Sequence, residues 1–447
     1  MRPRLQALVL LGRRVVIYLV IGTVVGLACW PLNQVDRLQD LLVGRLPTFT
    51  GEGWNQTSLL LALLPLVVMP VLLWLRSTGF QDGAGSGITQ VMACLEDPQD
   101  APRLMGIGST VRRFLLWSGA SLALFPLGRE GPLVQLGAAV AQAFHRLQPR
   151  LMRGIDPRTV MVAAAGAGLA GGFNTPLMGV LFTAEELTRT FQARLIWPAL
   201  LMSGAAAVVS DLGGQPMFGL TSISVGTAEH QQVLWAILVG IGAGLLGAGF
   251  ARLVLLLTRT LVLPVRRRPV QLGLLLGLGL VLLTLLSGGA SAGDGETLLK
   301  LILTLPAGPE AGLEGLVVLL SRMVGPVLAL SAGIPGGLID PAFAVGGVFG
   351  SGLLSALGGD PALGVALGMA AGLAGATQLP VMTTAFSIRM VGDQSLMPGL
   401  LTAAIVGSCI GRATMGMPVY HALASIALET AEAQGRSPSQ GQSAPRR

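Results

Sequence analysis

The sequence predicts an all-α membrane protein of many tilted and broken helices, arranged as two related halves of opposite orientation. Three observations carry that expectation. The chain is 52% hydrophobic and only 11% charged, with mean hydropathy +0.71, whereas a soluble protein carries about a quarter charged residues. Many apolar runs are too short for a simple span and stop at glycine or proline. One such run occurs twice.

The composition excludes a soluble enzyme or nucleic-acid binder as the default. The formal charge of +7 comes from arginines clustered between apolar runs: Arg2, Arg4, Arg13 and Arg14; Arg146, Arg150, Arg153 and Arg158; Arg259, Arg266, Arg267 and Arg268. Such clusters mark cytoplasmic loops under the positive-inside bias, so both termini are expected in the cytoplasm of a cell whose inner membrane holds the chain. Asp36 to Glu52 and Asp211 to His230 carry more acid than base and are expected outside. Cys29, Cys94 and Cys409 show no CxxC spacing and read as packing residues rather than metal or redox ligands. No cofactor or metal is expected.

Along the chain, Val15 to Trp30 follows an arginine-rich flank without a small-residue cleavage site and reads as a retained first helix. Ser58 to Leu75 and Val233 to Leu257 are long enough to span. Leu133 to Phe144, Val160 to Gly172, Leu177 to Ala184, Ala342 to Leu357 and Val381 to Ile388 are shorter. Helices that break inside a membrane are tolerated only where the freed backbone is buried in protein or lines a cavity. In transporters, paired broken helices mark the substrate site.

The repeat places Ala167-Gly168-Leu169-Ala170-Gly171-Gly172-Phe173-Asn174-Thr175-Pro176 over Ala371-Gly372-Leu373-Ala374-Gly375-Ala376-Thr377-Gln378-Leu379-Pro380. Upstream of each copy lies a Gly-x-x-x-Pro element, Gly128 to Pro132 and Gly337 to Pro341. The expected organisation is a first membrane repeat at 1–212, a linker at 213–232, a second repeat at 233–430 and a polar, disordered tail at 431–447 with no regulatory domain beyond it.

Four elements carry chemistry. Gly85-Ser86-Gly87-Ile88 is a flexible turn that presents backbone N–H groups and a hydroxyl. Gly128-Arg129-Glu130-Gly131-Pro132 places a carboxylate where a helix begins. Helix N-termini offer unpaired N–H groups and about half a unit of positive charge, so Glu130 reads as a built-in anion at an anion site. Gly337-Leu338-Ile339-Asp340-Pro341 is its counterpart in the second half, and Tyr420 is one of only two tyrosines.

These segments resemble the signature elements of the CLC family of chloride channels and proton-coupled anion transporters: GSGIP, G(K/R)EGP, GxFxP and a late tyrosine, in order, over residues 15 to 430. The resemblance implies a CLC-like fold and a homodimer in the lipid bilayer with one anion pathway per subunit. It implies that Ser86 and Tyr420 contact a dehydrated anion through their hydroxyls, with the N–H groups of Leu338 and Ile339 completing that central site. The N–H groups around Arg129, Glu130 and Gly131 would line an outer site and those of Gly85 and Ser86 an inner one. Glu130 would be the gating glutamate. Glu186, after Phe182-Thr183-Ala184-Glu185, matches the family's internal proton-transfer glutamate. The implied activity is exchange of chloride, or a similar monovalent anion, for protons.

Some positions depart from the family pattern. Thr89 and Gln90 stand where proline and glutamate are usual, and Ile339 replaces phenylalanine. Asp340 adds a carboxylate near the anion path. It reads as an N-cap of the following helix, as an added proton acceptor, or as turned away, with the cap favoured. Glu185 and Glu186 have a second reading as plain vestibule acids.

The nearest rival function is a passive chloride channel of the same fold. A serine hydrolase pairing Ser86 with His145, His230 or His421 lacks any local motif. A cation–proton exchanger would favour helix C-ends over the N-ends seen here.

Overall fold

A computed structural model describes residues 2–212, 229–304 and 312–432. Most of the expected linker, and the expected tail from residue 433 on, lie outside these residues.

Among them, the chain is helical throughout. The first half runs α1 (Arg2–Val43), α2 (Pro47–Thr50), α3 (Gln56–Thr78), α4 (Ile88–Glu96), α5 (Ala101–Leu104), α6 (Ile107–Leu122), α7 (Glu130–Leu147), α8 (Pro157–Phe173), α9 (Pro176–Phe182) and α10 (Ala193–Asp211). The second runs α11 (Glu229–Arg267), α12 (Pro269–Leu286), α13 (Glu296–Thr304), α14 (Leu313–Ser331), α15 (Ile339–Ala356), α16 (Pro361–Thr377), α17 (Pro380–Val391), α18 (Met397–Met415) and α19 (Val419–Glu432). Eight spans among the described residues are long and apolar enough to cross a membrane, so this is a multi-pass membrane protein.

The repeat is visible in how the helices stop and start. Asp156 caps α8, accepting from the Thr159 N–H at 3.0 Å, and Asp360 caps α16, accepting from the Ala362 N–H at 2.8 Å. Both helices carry proline in the first turn, where the missing N–H costs nothing. Each ends on a left-handed residue, Asn174 (φ 48°) or Gln378 (φ 63°), before a proline opens α9 or α17. Packing follows the same symmetry: α7 on α8 as α15 on α16, α8 on α10 as α16 on α18, and α1 on α10 as α11 on α18.

Glycine sets the spacing of the innermost pairs. A Cβ at Gly137 of α7 would collide with the Ala164 carbonyl of α8, and one at Gly346 of α15 with the Gly368 carbonyl of α16. Backbone-to-backbone contact of this kind holds helices together where apolar burial gives little drive in lipid.

The halves meet antiparallel at one point. Gly128 donates its N–H to the Gly337 carbonyl at 3.1 Å, and Gly337 returns the bond to Gly128 at 2.9 Å. A reciprocal pair between equivalent residues is what an inverted repeat produces on its pseudo-two-fold axis.

The first helix differs from expectation. It runs past Trp30 and through Pro31 to Val43, because Asn33, Asp36 and Gln39 are buried among polar partners instead of lying in a loop. Gln39, for example, donates to the Ser121 carbonyl at 3.0 Å. Cys29 and Cys94 are buried as packing residues, whereas Cys409 is exposed on α18.

Candidate functional site

The broken helices aim their N-termini at the centre of the molecule. α7 begins at Glu130 and α15 at Ile339, each two residues after the glycine of the antiparallel pair. The Glu130 side chain is buried, and its carboxylate folds back over both glycines. One oxygen, Oε1, accepts from the Asp340 N–H at 2.8 Å, and the carboxylate also lies against the Glu130 N–H. A carboxyl group therefore occupies the shared N-terminal end of two helices, where unpaired N–H groups and the macrodipole favour negative charge. A Cβ at Gly337 would fall within the Glu130 carboxylate, so only glycine leaves room for it.

Beneath this carboxylate, Ser86 Oγ and the Tyr420 hydroxyl are both shut from solvent with no hydrogen-bond partner of full geometry among the described residues. The Leu338 N–H faces the Tyr420 hydroxyl. Two unengaged hydroxyls and a helix-end N–H make a neutral donor set that suits a dehydrated anion. Buried polar groups are otherwise almost always paired.

The turn carrying Ser86 is braced rather than flexible. Gly87 donates to Gln90 Oε1 at 2.7 Å, while Gln90 Nε2 at 3.2 Å and Arg113 Nη2 at 2.7 Å both donate to the Ala84 carbonyl. Gln90 thus takes on the anchoring of the turn. Gly131 lets the Ser86 carbonyl approach, since a Cβ there would overlap it. Gly85 departs from expectation: its N–H is already donated to the Gly333 carbonyl at 3.0 Å. It ties the turn to the second repeat and is not an open anion donor.

A cavity of about 490 Å³ is lined by Ser86 and Leu338 together with Arg76 and Arg266. The N-terminal arginines hold the loop that follows α7. Arg13 Nη2 donates to the Leu151 carbonyl at 2.7 Å and Arg14 Nη2 to the Gly154 carbonyl at 3.1 Å.

Next to Glu130 in the chain, Arg129 is buried and ion-paired with Asp36. Its guanidinium carbon lies 4.7 Å from the Phe173 ring centroid, so its charge is shared between a carboxylate and an aromatic face. Asp36→Asn should leave this cation without its buried counter-charge and cost about 3 kcal/mol, the low end for such pairs because the aromatic face remains. Thermal unfolding in detergent would read the loss as a lowered midpoint. Asp36, Asp40 and Glu296 converge within 4.8 Å, and Lys300 pairs with Glu296. This acidic cluster was invisible in sequence because its members lie on α1 and α13.

Asp340 overturns the capping expectation. The N-cap position of α15 belongs to Leu338, and both Asp340 carboxylate oxygens are buried without a hydrogen-bond partner among the described residues. From the second position of the helix, the side chain engages none of the helix's free N–H groups. It is the Asp340 backbone that acts, by donating to Glu130.

The two internal glutamates separate. Both lie in a π-helical segment, Thr183–Leu187, continuing α9. Glu185 reaches across to the second repeat and caps α17, accepting from the N–H groups of Val381 at 3.2 Å and Met382 at 2.7 Å. Glu186 is buried, and its Oε1 lies 3.2 Å from His421 Nδ1. This contact also removes the hydrolase reading. His421 is engaged with Glu186, Ser86 Oγ has no hydrogen-bond partner among the described residues, His145 sits in the last turn of α7, and His230 is exposed at the start of α11.

The chain is similar to known proteins over most of its length. A family profile described as "Voltage gated chloride channel" matches residues 62–412. The "H(+)/Cl(-) exchange transporter ClcA" of Klebsiella pneumoniae subsp. pneumoniae is 27% identical, with 96% of this chain aligned to 91% of that protein. The "Voltage-gated ClC-type chloride channel ClcB" of Escherichia coli is 30% identical, over 66% of this chain and 70% of its own length. A crystal structure of a slow cyanobacterial Cl-/H+ antiporter superposes with a TM-score of 0.74 at 22% identity, covering 94% of this chain and 99% of that one. A CLC-type fluoride/proton antiporter does so at 0.73 and 24%, covering 90% and 96%.

Proposed function

The chain belongs to the voltage gated chloride channel (CLC) family of anion channels and antiporters, and we propose that within it this protein exchanges chloride for protons. It is a transporter or channel for anions and not an enzyme. The finer reading rests on one observation. Two carboxyl side chains, Glu130 and Glu186, are buried, and the buried Tyr420 hydroxyl lies within electrostatic reach of both.

The anion would enter through the cavity beside Ser86 and be held by Ser86, Tyr420 and the Leu338 and Ile339 N–H groups. Partial charges bind an anion well enough to enter and weakly enough to leave, which a full arginine charge would not. The anion then meets the Glu130 carboxylate in the next position. Protonation of Glu130 removes the charge that holds it at the helix ends, so it yields the position and carries a proton outward as the anion passes. Protons reach it from Glu186, whose burial inside a membrane helix is expensive without a function. The protein acts as a homodimer with one path per subunit, in a bacterial inner membrane with both termini and the arginine-rich loops in the cytoplasm.

A passive channel needs Glu130 alone and gives Glu186 no task. Glu186→Gln is therefore expected to stop proton movement while chloride continues to flow. The deciding experiment uses purified protein in liposomes with a chloride gradient, no proton gradient, and the voltage set by valinomycin and potassium. Uphill proton movement driven by chloride supports exchange; chloride efflux without it makes the protein a channel.

A further inference from the structure

His421 directly follows Tyr420 in the first turn of α19. Successive helical residues point about 100° apart, so the two side chains serve different places. Tyr420 is buried beside the Leu338 N–H, while His421 Nδ1 lies 3.2 Å from Glu186 Oε1. The burial of this pair is unequal: the Glu186 side chain is 1% exposed and that of His421 25% exposed. The imidazole thus touches water at one edge and a carboxylate cut off from water at the other.

The surroundings favour Glu186 as the recipient. Its neighbour Glu185 is committed to the α17 N-terminus, and the Arg412 charge on α18 acts on Glu185. The π-helical segment supplies the turn that sends the two consecutive carboxylates to different partners, and such segments recur at functional sites.

We propose that His421 is the residue that delivers protons from the internal water to Glu186. A proton from water adds at Nε2 and makes the imidazolium. The Nδ1–H bond then breaks as the Oε1–H bond forms, leaving a neutral imidazole with its proton on Nε2. The ring resets when it swings Nδ1 out to the water, takes a proton there, gives up the one on Nε2 and swings back. The assignment rests on the reading of Glu186 as a proton carrier in coupled exchange.

The test measures protons moved per chloride in the same liposomes for the wild type, Glu186→Gln, His421→Gln and His421→Ala. Glutamine keeps an N–H donor for Glu186 but cannot relay a proton, so it separates delivery from mere positioning. Proton movement per chloride should fall on the order of a hundredfold in both His421 variants, the scale of a lost acid–base group. Added imidazole should restore part of it in His421→Ala. Wild-type coupling in His421→Gln would overturn the proposal, whether or not His421→Ala is impaired. Coupling that survives Glu186→Gln would instead overturn the exchange route on which it stands.

Discussion

Glu130→Gln is expected to end proton movement and leave a chloride flux that no longer responds to external pH. The substitution keeps the shape of the side chain and removes its charge. In the wild type the carboxylate accepts from the Asp340 N–H at 2.8 Å at the meeting of two helix N-termini. A hydrogen bond to a charged group contributes about 1.5–3 kcal/mol, and a helix terminus adds about 0.3–1 kcal/mol. The neutral amide keeps only the weaker share of both, so chloride displaces it at roughly ten- to a hundredfold lower concentration. Nothing at this position then carries a proton. Flux recorded across a series of external pH values would check both parts, and continued proton pumping by the variant would remove Glu130 from the proton path.

The broken helices and the repeat were legible because they are written in local signals. Asp-Pro starts, left-handed ends at Asn174 and Gln378, and glycines at fixed positions all fall within a few residues of the structure they cause. The position of Glu130 at a helix start was legible for the same reason. The polar pairings that tune the site were not. His421 with Glu186, Glu185 with α17 and Arg129 with Asp36 join residues far apart in sequence. A single buried polar residue in an apolar run has no periodicity that names its partner. Asp340 was misjudged because side-chain capping needs a residue one step outside the helix, and the helix starts one residue before it. Gly85 looked like an open donor only because the Gly333 carbonyl lies in the other repeat.

Gly337→Ala is expected to expel the Glu130 carboxylate by filling its position. The nearest atoms to a Cβ built at Gly337 all belong to the Glu130 carboxylate group, and the clash with it is complete. The obstacle is the end of a flexible side chain, so the helix can keep its course while the carboxylate moves out. This distinguishes Gly337 from Gly87 and Gly131, where an added methyl meets the Gly131 or Ser86 backbone carbonyl and the chain itself must shift. The methyl then stands where the carboxylate or a passing anion would sit. Overpacking of this kind costs about 1–3 kcal/mol, so chloride flux should fall roughly ten- to a hundredfold, with proton movement lost as well. The decisive comparison adds Glu130→Gln to Gly337→Ala. Once the carboxylate has been expelled, neutralising it should change nothing further, and the double variant should match Gly337→Ala alone. A double variant that regains the chloride flux of Glu130→Gln would show that the methyl does not block the path and that the carboxylate is held elsewhere than between the two helix ends.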